Sequence, residues 1–119
     1  MIKIVWKTLK RWVSKIFSSD SILEYEGLCI IPGEQIIAYQ GNEIYFTNRE
    51  FQVLLLLIQY QGQVLSKKQI YEQVADDDSR IDYHTIEITI SRIRKKLREY
   101  TKRSDFIITV QDRGYKFKK

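Results

Sequence analysis

Residues 85–100 have the sequence TIEITISRIRKKLREY. Apolar residues recur there at spacings of three and four, which places them on one face of a helix. They are Ile86, Ile90, Ile93, Leu97 and Tyr100. The pattern predicts a helix over 85–100 whose apolar stripe packs on a core.

The opposite side of this helix carries cations, short polar groups and one bare isoleucine. It holds His84, Ile88, Ser91, Lys95 and Arg98, flanked by Glu87 and Arg92. Ile88 lies nearly opposite the apolar stripe, where a solvated helix favours a polar side chain. Single exposed apolar residues are common on proteins. The combination nevertheless favours a helix placed against the edges of nucleic-acid bases.

Basic residues are concentrated towards the two ends of the chain, whose net charge is +5. Residues 1–20 hold five basic residues and one acidic residue, and residues 21–79 hold three basic and nine acidic residues. Residues 80–119 hold twelve basic and five acidic residues. Segregated positive charge is typical of nucleic-acid binders. The alternative is a set of solvated helix faces that happen to be basic.

Composition favours one globular domain and argues against several kinds of site. A chain of 119 residues with 44% hydrophobic composition suits a single modest core. Cys29 and His84 are the only residues of their types, so neither an internal disulfide nor a Cys/His metal set is expected. We expect no enzyme activity and no cofactor, because the sequence shows no catalytic constellation. Without a membrane-spanning run or a signal peptide, the sequence predicts a cytoplasmic protein.

Residues 2–17 show a second amphipathic pattern, followed by a polar linker over 18–21. The apolar face comprises Ile2, Val5, Trp6, Leu9, Trp12, Val13, Ile16 and Phe17. This predicts an extra helix ahead of the main domain, with the boundary at residue 21. Three interpretations stay open: docking on its own domain or a second copy, contact with an anionic membrane surface, or the last helix of a lost upstream domain. Docking or dimerisation is favoured over membrane contact.

Residues 22–46 have the composition of short strands. The predicted strands are Leu28–Ile31, Ile36–Tyr39 and Glu43–Phe46, separated by turn signals at Pro32-Gly33 and Gly41-Asn42. They predict a small antiparallel meander.

Two capping boxes mark the starts of two further helices. Residues 47–50, TNRE, precede a run that is apolar on nearly all sides from Phe51 to Ile58, which predicts a central helix that stops near Gly62. Residues 66–69, SKKQ, open a second helix. We expect its Ile70, Tyr71 and Val74 to face inward.

Three adjacent carboxylates, Asp76, Asp77 and Asp78, follow the second of these helices. A calcium loop would need a glycine turn and a later bidentate glutamate, and neither stands at the required spacing. We therefore predict an exposed acidic loop.

The chain ends in a predicted β-hairpin. Its strands are Phe106–Val110 and Tyr115–Phe117, joined by a polar four-residue turn, Gln111–Gly114. The order of meander, two helices, loop, basic helix and hairpin is that of a winged helix-turn-helix.

Three separated segments resemble the DNA-binding effector domain of OmpR/PhoB-type response regulators. They are IYFTNREFQVLLLLIQYQGQVLSKKQIYEQV at 44–74, IEITISRIRKKL at 86–97 and IITVQDRGYKF at 107–117. The resemblance, from Leu28 to Phe117, implies an α+β winged helix-turn-helix over 22–119, preceded here by the extra amphipathic helix. It has an N-terminal antiparallel meander, a three-helix core and a C-terminal hairpin wing. In that family the third helix enters the major groove and the wing touches the adjacent minor groove, so we expect sequence-specific binding of double-stranded DNA by a transcriptional regulator.

Base recognition is expected from one face of the helix 85–100. Arg92 can bond guanine bidentately, Glu87 can accept from cytosine, and Ile88 can pack on a thymine methyl group. Ser91 completes the predicted base-contacting set. By resemblance, Arg92 lies where the family often has an arginine that reads a base or binds a phosphate, and Glu87 lies at an acidic position that can face the groove.

Phosphate contacts are expected from basic and short polar side chains, through counterion release. The predicted residues are Lys67, Lys68, His84, Arg94, Lys95, Arg98, Thr109 and Lys116. Of these, Arg94 and Thr109 are assigned by resemblance to positions that contact phosphate in the family.

The wing departs from the family pattern. Gln111 stands where many members have an arginine, and Asp112 stands where a glycine usually follows. A carboxylate there would repel the DNA backbone, whereas Arg113 could supply the minor-groove cation. The alternative function is therefore a winged-helix protein-interaction module with little or no DNA binding.

The resemblance also implies partners. Family members usually bind direct repeats as head-to-tail dimers, and the loop before the recognition helix often contacts RNA polymerase, which would give Asp76–Asp78 a role. Members usually carry a receiver domain with a phosphorylatable aspartate. This chain has no room for one, and residues 2–17 sit where its last helix would end. Phosphorylation control is therefore not expected from this chain alone.

Overall fold

The computed structural model describes residues 22–75 and 82–118. The predicted amphipathic helix at 2–17 and the predicted acidic loop at Asp76–Asp78 lie outside these residues. No helix in the described ranges is long and apolar enough to cross a membrane.

The N-terminal meander is a four-stranded antiparallel sheet. Its strands are β1 (Leu23–Tyr25), β2 (Leu28–Ile31), β3 (Ile36–Tyr39) and β4 (Asn42–Glu43), in the order β1-β2-β3-β4. The predicted strands β2 and β3 are confirmed. β1 was missed because three residues are too few for a periodic signal. The third predicted strand was wrong in its bounds, since the chain leaves the sheet after Glu43 and turns towards the first helix.

The first helix, α1 (Asn48–Gln59), is the central helix of the core, as predicted. Its capping box is formed in both directions. The Glu50 amide donates to Thr47 Oγ1 at 3.2 Å, and the Thr47 amide donates to Glu50 Oε1 at 3.0 Å. Phe51, Val53, Leu54, Leu56, Leu57 and Ile58 are all buried.

The second helix, α2 (Lys67–Val74), also begins with the predicted capping box. The Ser66 amide donates to Gln69 Oε1 at 2.8 Å, and the Gln69 amide donates to Ser66 Oγ at 3.0 Å. Its inward residues Ile70, Tyr71 and Val74 are buried, as predicted.

The third helix, α3 (Tyr83–Thr101), is the long basic helix. It begins two residues before the predicted start because Asp82 caps it, accepting from the His84 amide at 3.0 Å. Ile86, Ile90, Ile93 and Leu97 are at most 1% exposed. The prediction for Tyr100 was wrong.

Thr101, not Tyr100, ends the buried stripe of α3. Tyr100 is 44% exposed, whereas Thr101 is 5% exposed. Thr101 lies four residues after Leu97, directly along the stripe. Its hydroxyl is satisfied locally, donating to the Leu97 carbonyl at 2.7 Å. The helix then stops, since Lys102 adopts a left-handed backbone with φ of 62°.

The C-terminal hairpin consists of β5 (Ile107–Val110) and β6 (Gly114–Phe117). The turn has three residues and not the predicted four, because Gly114 pairs with Val110 as part of β6. The α1–α2 connection pairs with β6. The Leu65 amide donates to the Tyr115 carbonyl at 2.8 Å, and the Tyr115 amide donates to the Leu65 carbonyl at 2.9 Å.

One hydrophobic core joins the sheet, the three helices and the hairpin. Phe106 and Phe117, each 1% exposed, close it on the hairpin side. The predicted α+β winged helix-turn-helix is confirmed for the described residues, and α3 lies across the core with one long side on the surface.

Candidate nucleic-acid interface

The outward side of α3 is a continuous exposed stripe. Ile88, Ser91, Arg92 and Lys95 are exposed and follow one another at spacings of three, one and three residues. This spacing puts them on a single face, opposite the buried stripe. Ile88 remains 38% exposed, so an apolar group stands on a surface otherwise made of cations and a hydroxyl.

Glu99 continues this stripe and was missed by the sequence argument. It is exposed and lies four residues after Lys95. The same helical spacing that identified Lys95 would have identified it. Its carboxylate makes the C-terminal end of the stripe less positive than the part around Arg92 and Lys95.

Three predicted DNA contacts form one surface network at the start of α3. Lys67 Nζ donates to Glu87 Oε2, and His84 Nδ1 lies 2.9 Å from Glu87 Oε1. The hydrogen bond from Lys67, and then that from His84, lowers the pKa of Glu87, while Glu87 raises the pKa of Lys67. The lysine and the glutamate are about two-fifths exposed, at 40% and 42%. A surface network of this kind contributes little to stability, so it can open when a better partner arrives.

Arg94 joins α3 to the hairpin. Its Nε and Nη2 atoms donate to the Ile107 carbonyl at 3.2 and 3.0 Å. Nη2 also donates to Thr109 Oγ1 at 2.6 Å, and the guanidinium lies 5.6 Å from the centre of the Tyr115 ring. Burial lowers the pKa of Arg94, but a guanidinium stays charged in proteins. Since the Thr109 oxygen accepts from Arg94, its hydroxyl proton is directed away from that contact.

The hairpin tip presents Gln111, Asp112 and Arg113 to solvent. Asp112 has a left-handed backbone with φ of 62°. Glycine adopts this conformation without cost, and aspartate is among the few other residues that visit it. The geometry therefore accounts for a glycine being usual at this position, and it leaves an exposed carboxylate at the tip.

A cleft runs between the start of α2, the start of α3 and the hairpin tip. Six predicted contact residues, taken from three distant parts of the sequence, line it: Lys67, Lys68, Glu87, Thr109, Gln111 and Arg113. His84 touches it through Glu87. Arg98 is exposed further along α3, and Lys116 lies on β6 opposite Ile108. These two residues are not part of the cleft lining.

A comparison with protein families shows which family the chain belongs to. The family model described as "Transcriptional regulatory protein, C terminal" matches residues 41–117. The chain belongs to this family. The predicted OmpR/PhoB-type identity is thereby confirmed, and the family consists of transcriptional regulatory domains and not of enzymes.

Individual relatives agree with the family match. The regulatory protein VanRc of Enterococcus gallinarum is 36% identical over 101 residues, covering 82% of this chain and 43% of VanRc. This chain spans less than half the length of the curated relatives it is compared with here.

Solved structures show the same fold. The DNA-binding domain of CpxR from E. coli is 31% identical with a TM-score of 0.68, covering 82% of this chain and 96% of that one. The DNA-binding domain of Klebsiella pneumoniae RstA, solved in complex with the RstA box, has a TM-score of 0.70 and covers 82% of this chain and 97% of that one. At 23% identity, RstA shows likeness of fold alone.

Proposed function

We propose that this chain regulates transcription by binding a specific double-stranded DNA sequence, with α3 in the major groove and the β5–β6 hairpin against the neighbouring minor groove. The observation that carries the proposal is the exposed stripe of α3, which presents Ile88, Arg92 and Lys95 to solvent. A major groove admits one α-helix, and each base pair shows a distinct pattern there. A DNA target also locates the proposed activity in the cytoplasm.

Base reading is assigned to four residues of α3. Arg92 donates two hydrogen bonds to guanine, Ile88 packs on a thymine methyl, and Ser91 reaches either kind of base edge. Glu87 accepts from cytosine after it releases Lys67, which moves to a phosphate. The Lys67–Glu87 pair of the free protein therefore holds both side chains at the groove edge until DNA replaces the contact.

Phosphate contacts surround this stripe. Lys68, Lys95 and Arg98 are exposed, and His84 and Lys116 extend the same surface towards the start of α3 and the hairpin. Thr109 donates its hydroxyl to a phosphate, while Arg94 positions Thr109 and holds the hairpin on α3. Arg113 supplies the cation for the minor groove, with Gln111 beside it. Phosphate contacts give affinity and register without sequence information.

The proposal extends to assembly. The family pattern supports head-to-tail homodimers on direct repeats and contact of the Asp76–Asp78 segment with RNA polymerase. The exposed carboxylate of Asp112 at the hairpin tip favours a second candidate, a winged-helix protein-interaction module with little DNA binding.

A titration of fluorescent genomic DNA fragments, followed by anisotropy at two salt concentrations, tests the proposal. The Lys95→Ala variant should bind every fragment more weakly, with a slope of log affinity against log salt about 0.9 units flatter. Lys102→Ala removes the same charge beyond the last turn of α3 and should leave the slope unchanged. Weak binding that ignores both DNA sequence and salt would reject DNA recognition in favour of the interaction module.

A further inference from the structure

The outward face of the N-terminal sheet is apolar at its centre. Along β2, Leu28 and Ile30 are buried, while Cys29 and Ile31 are partly exposed. Successive side chains of a strand point to opposite faces, so Cys29 and Ile31 face outward. The register pairs Cys29 with Ala38 and Ile31 with Ile36. The two middle strands thus present Cys29, Ile31, Ile36 and Ala38 on the side away from the core.

These four outward residues are all partly exposed. The partly buried apolar residues that pack against the core include Leu23, Tyr25 and Tyr39, but none of the four. An antiparallel sheet with one solvated face normally carries polar residues on that face. Ile22, just before β1, is 61% exposed, and strand alternation places it on the same side.

Carboxylates border the apolar centre. Glu24 of β1 pairs with Cys29, and Glu43 of β4 pairs with Ala38. One row across the outward face therefore runs Glu24, Cys29, Ala38, Glu43. Residues 22–48 contain four glutamates and no lysine, arginine or histidine. The surface is an apolar strip with an acidic border, which suits an amphipathic partner whose polar side is basic.

We propose that residues 2–17 of this same chain dock as a helix on the outward face of the β1–β4 sheet. Their apolar face carries Leu9 and Trp12, and five lysine and arginine residues occupy the rest of the segment. The basic residues at the edges of the helix reach the bordering glutamates. This assigns the amphipathic segment a partner surface within its own domain.

The short linker over residues 18–21 favours contact between residues 2–17 and the sheet of the same chain. Only four residues, 18–21, separate Phe17 from Ile22, and four extended residues span at most about 14 Å. Ile22 already lies at the edge of the acceptor face, so the segment reaches it at a high effective concentration. A helix over 2–17 would be about 24 Å long, and four strands span about 14 Å. The part from Leu9 to Phe17 is therefore the part that covers the sheet.

Disulfide trapping tests this placement, because Cys29 is the only cysteine and lies on the acceptor face. In the full chain, Val13→Cys adds a thiol to the apolar face of the segment, about 6 Å along the helix from Phe17 and therefore over β2. Ser14→Cys adds one to the basic face and serves as the matched control. Mild oxidation followed by non-reducing electrophoresis should give an intrachain disulfide for Val13→Cys, formed at least tenfold faster than for Ser14→Cys. Disulfide-linked dimers would assign the face to a second copy, and equal or absent trapping would refute docking.

Fluorescence supplies an independent readout, because Trp6 and Trp12 are the only tryptophans of the chain. Docking should shield Trp12, which lies within the part that covers the sheet, from acrylamide. Ala38→Glu, which adds a charge to the acceptor face, should raise the quenching constant about twofold. Gln63→Glu adds the same charge at an exposed site between α1 and α2 and should leave quenching unchanged. If only anionic phosphatidylglycerol vesicles shield the tryptophans, membrane contact replaces the proposal.

Discussion

Asp112 has a left-handed backbone conformation and carries a negative charge at the exposed tip of the hairpin. Its φ of 62° lies in the left-handed region, where asparagine is as well tolerated as aspartate. Backbone geometry therefore does not require the negative charge, and the two properties can be separated by one substitution.

Asp112→Asn should strengthen DNA binding. Removing a carboxylate near a phosphate relieves a repulsion of about 1 kcal/mol at 4 Å in water, or about fivefold in Kd. The gain should appear on all DNA sequences and shrink as salt screens the charge. Anisotropy titrations of the wild type and the variant at low and high salt measure it. An unchanged Kd at low salt would mean that the hairpin tip does not approach DNA.

The hairpin packs against the α1–α2 connection through a close backbone contact between Gly114 and Leu65. Gly114 has φ of 141°, and a Cβ added there would lie 2.0 Å from the Leu65 carbonyl oxygen. No side chain fits without separating β6 from the α1–α2 connection. This contact fixes the distance between the hairpin and the start of α2, and hence the cleft between them.

Gly114→Ala should destabilise the domain by roughly 3 kcal/mol, from backbone strain and the broken pairing with Leu65. Gly41→Ala is the control: its φ of 84° is also left-handed, but an added Cβ meets nothing within 4 Å. That change should cost only about 1 kcal/mol. Urea unfolding followed by circular dichroism compares the two variants. An equal decrease in the free energy of unfolding for both variants would show that the contact with Leu65 does not hold the hairpin in place.

At the scale of the whole molecule, one ion pair connects the first and third helices. Glu50, only 3% exposed, accepts a hydrogen bond from Lys96 Nζ. Burial alone would raise the pKa of Glu50, but the hydrogen bonds from Lys96 and from the Thr47 amide lower it overall. Since the pKa is lower in the folded state, the pair stabilises the fold above the unfolded value of 4.5 and loses this effect as pH falls through the folded pKa.

Lys96→Met should lower the free energy of unfolding by about 2 kcal/mol at pH 7, because it leaves a buried carboxylate without its cation. The difference from wild type should shrink as pH falls below the ordinary value of 4.5 and through the lowered pKa of Glu50, where the carboxylate takes up a proton. Lys95→Met, at an exposed neighbouring position, should change stability by less than about 0.5 kcal/mol. Denaturant titrations from pH 7 to pH 3 provide the test. A loss that is independent of pH would exclude the charge of Glu50 as its cause.

The fold was largely predictable because its signals are local. Two capping boxes and the spacing of Ile86, Ile90, Ile93 and Leu97 each involve residues within a few turns of one another. Errors arose where packing decides between choices that the local sequence leaves open. Tyr100 and Thr101 lie three and four residues after Leu97, so helical spacing allows either, and packing buries Thr101. The pairing with Val110 makes Gly114 part of β6.

The sequence predicted most of the residues of the candidate site, but not the contacts that these residues make with one another. The exposed residues of α3 follow from helical spacing. The Lys67–Glu87 contact joins residues 20 positions apart and depends on how α2 packs on α3, which no local pattern encodes. The same holds for Arg94, whose partners on β5 lie 13 and 15 positions away and make it a positioning residue for the hairpin.

Whether α3 reads bases through Arg92 can be measured by selecting binding sites from a random double-stranded DNA pool, in parallel with the wild type and with Arg92→Ala. The wild type should enrich a defined motif. Arg92→Ala should enrich the same motif with the preference lost at one guanine, at a discrimination cost of about 1–3 kcal/mol. If the wild type enriches no motif, or if both proteins enrich an identical one, then α3 does not read bases through Arg92.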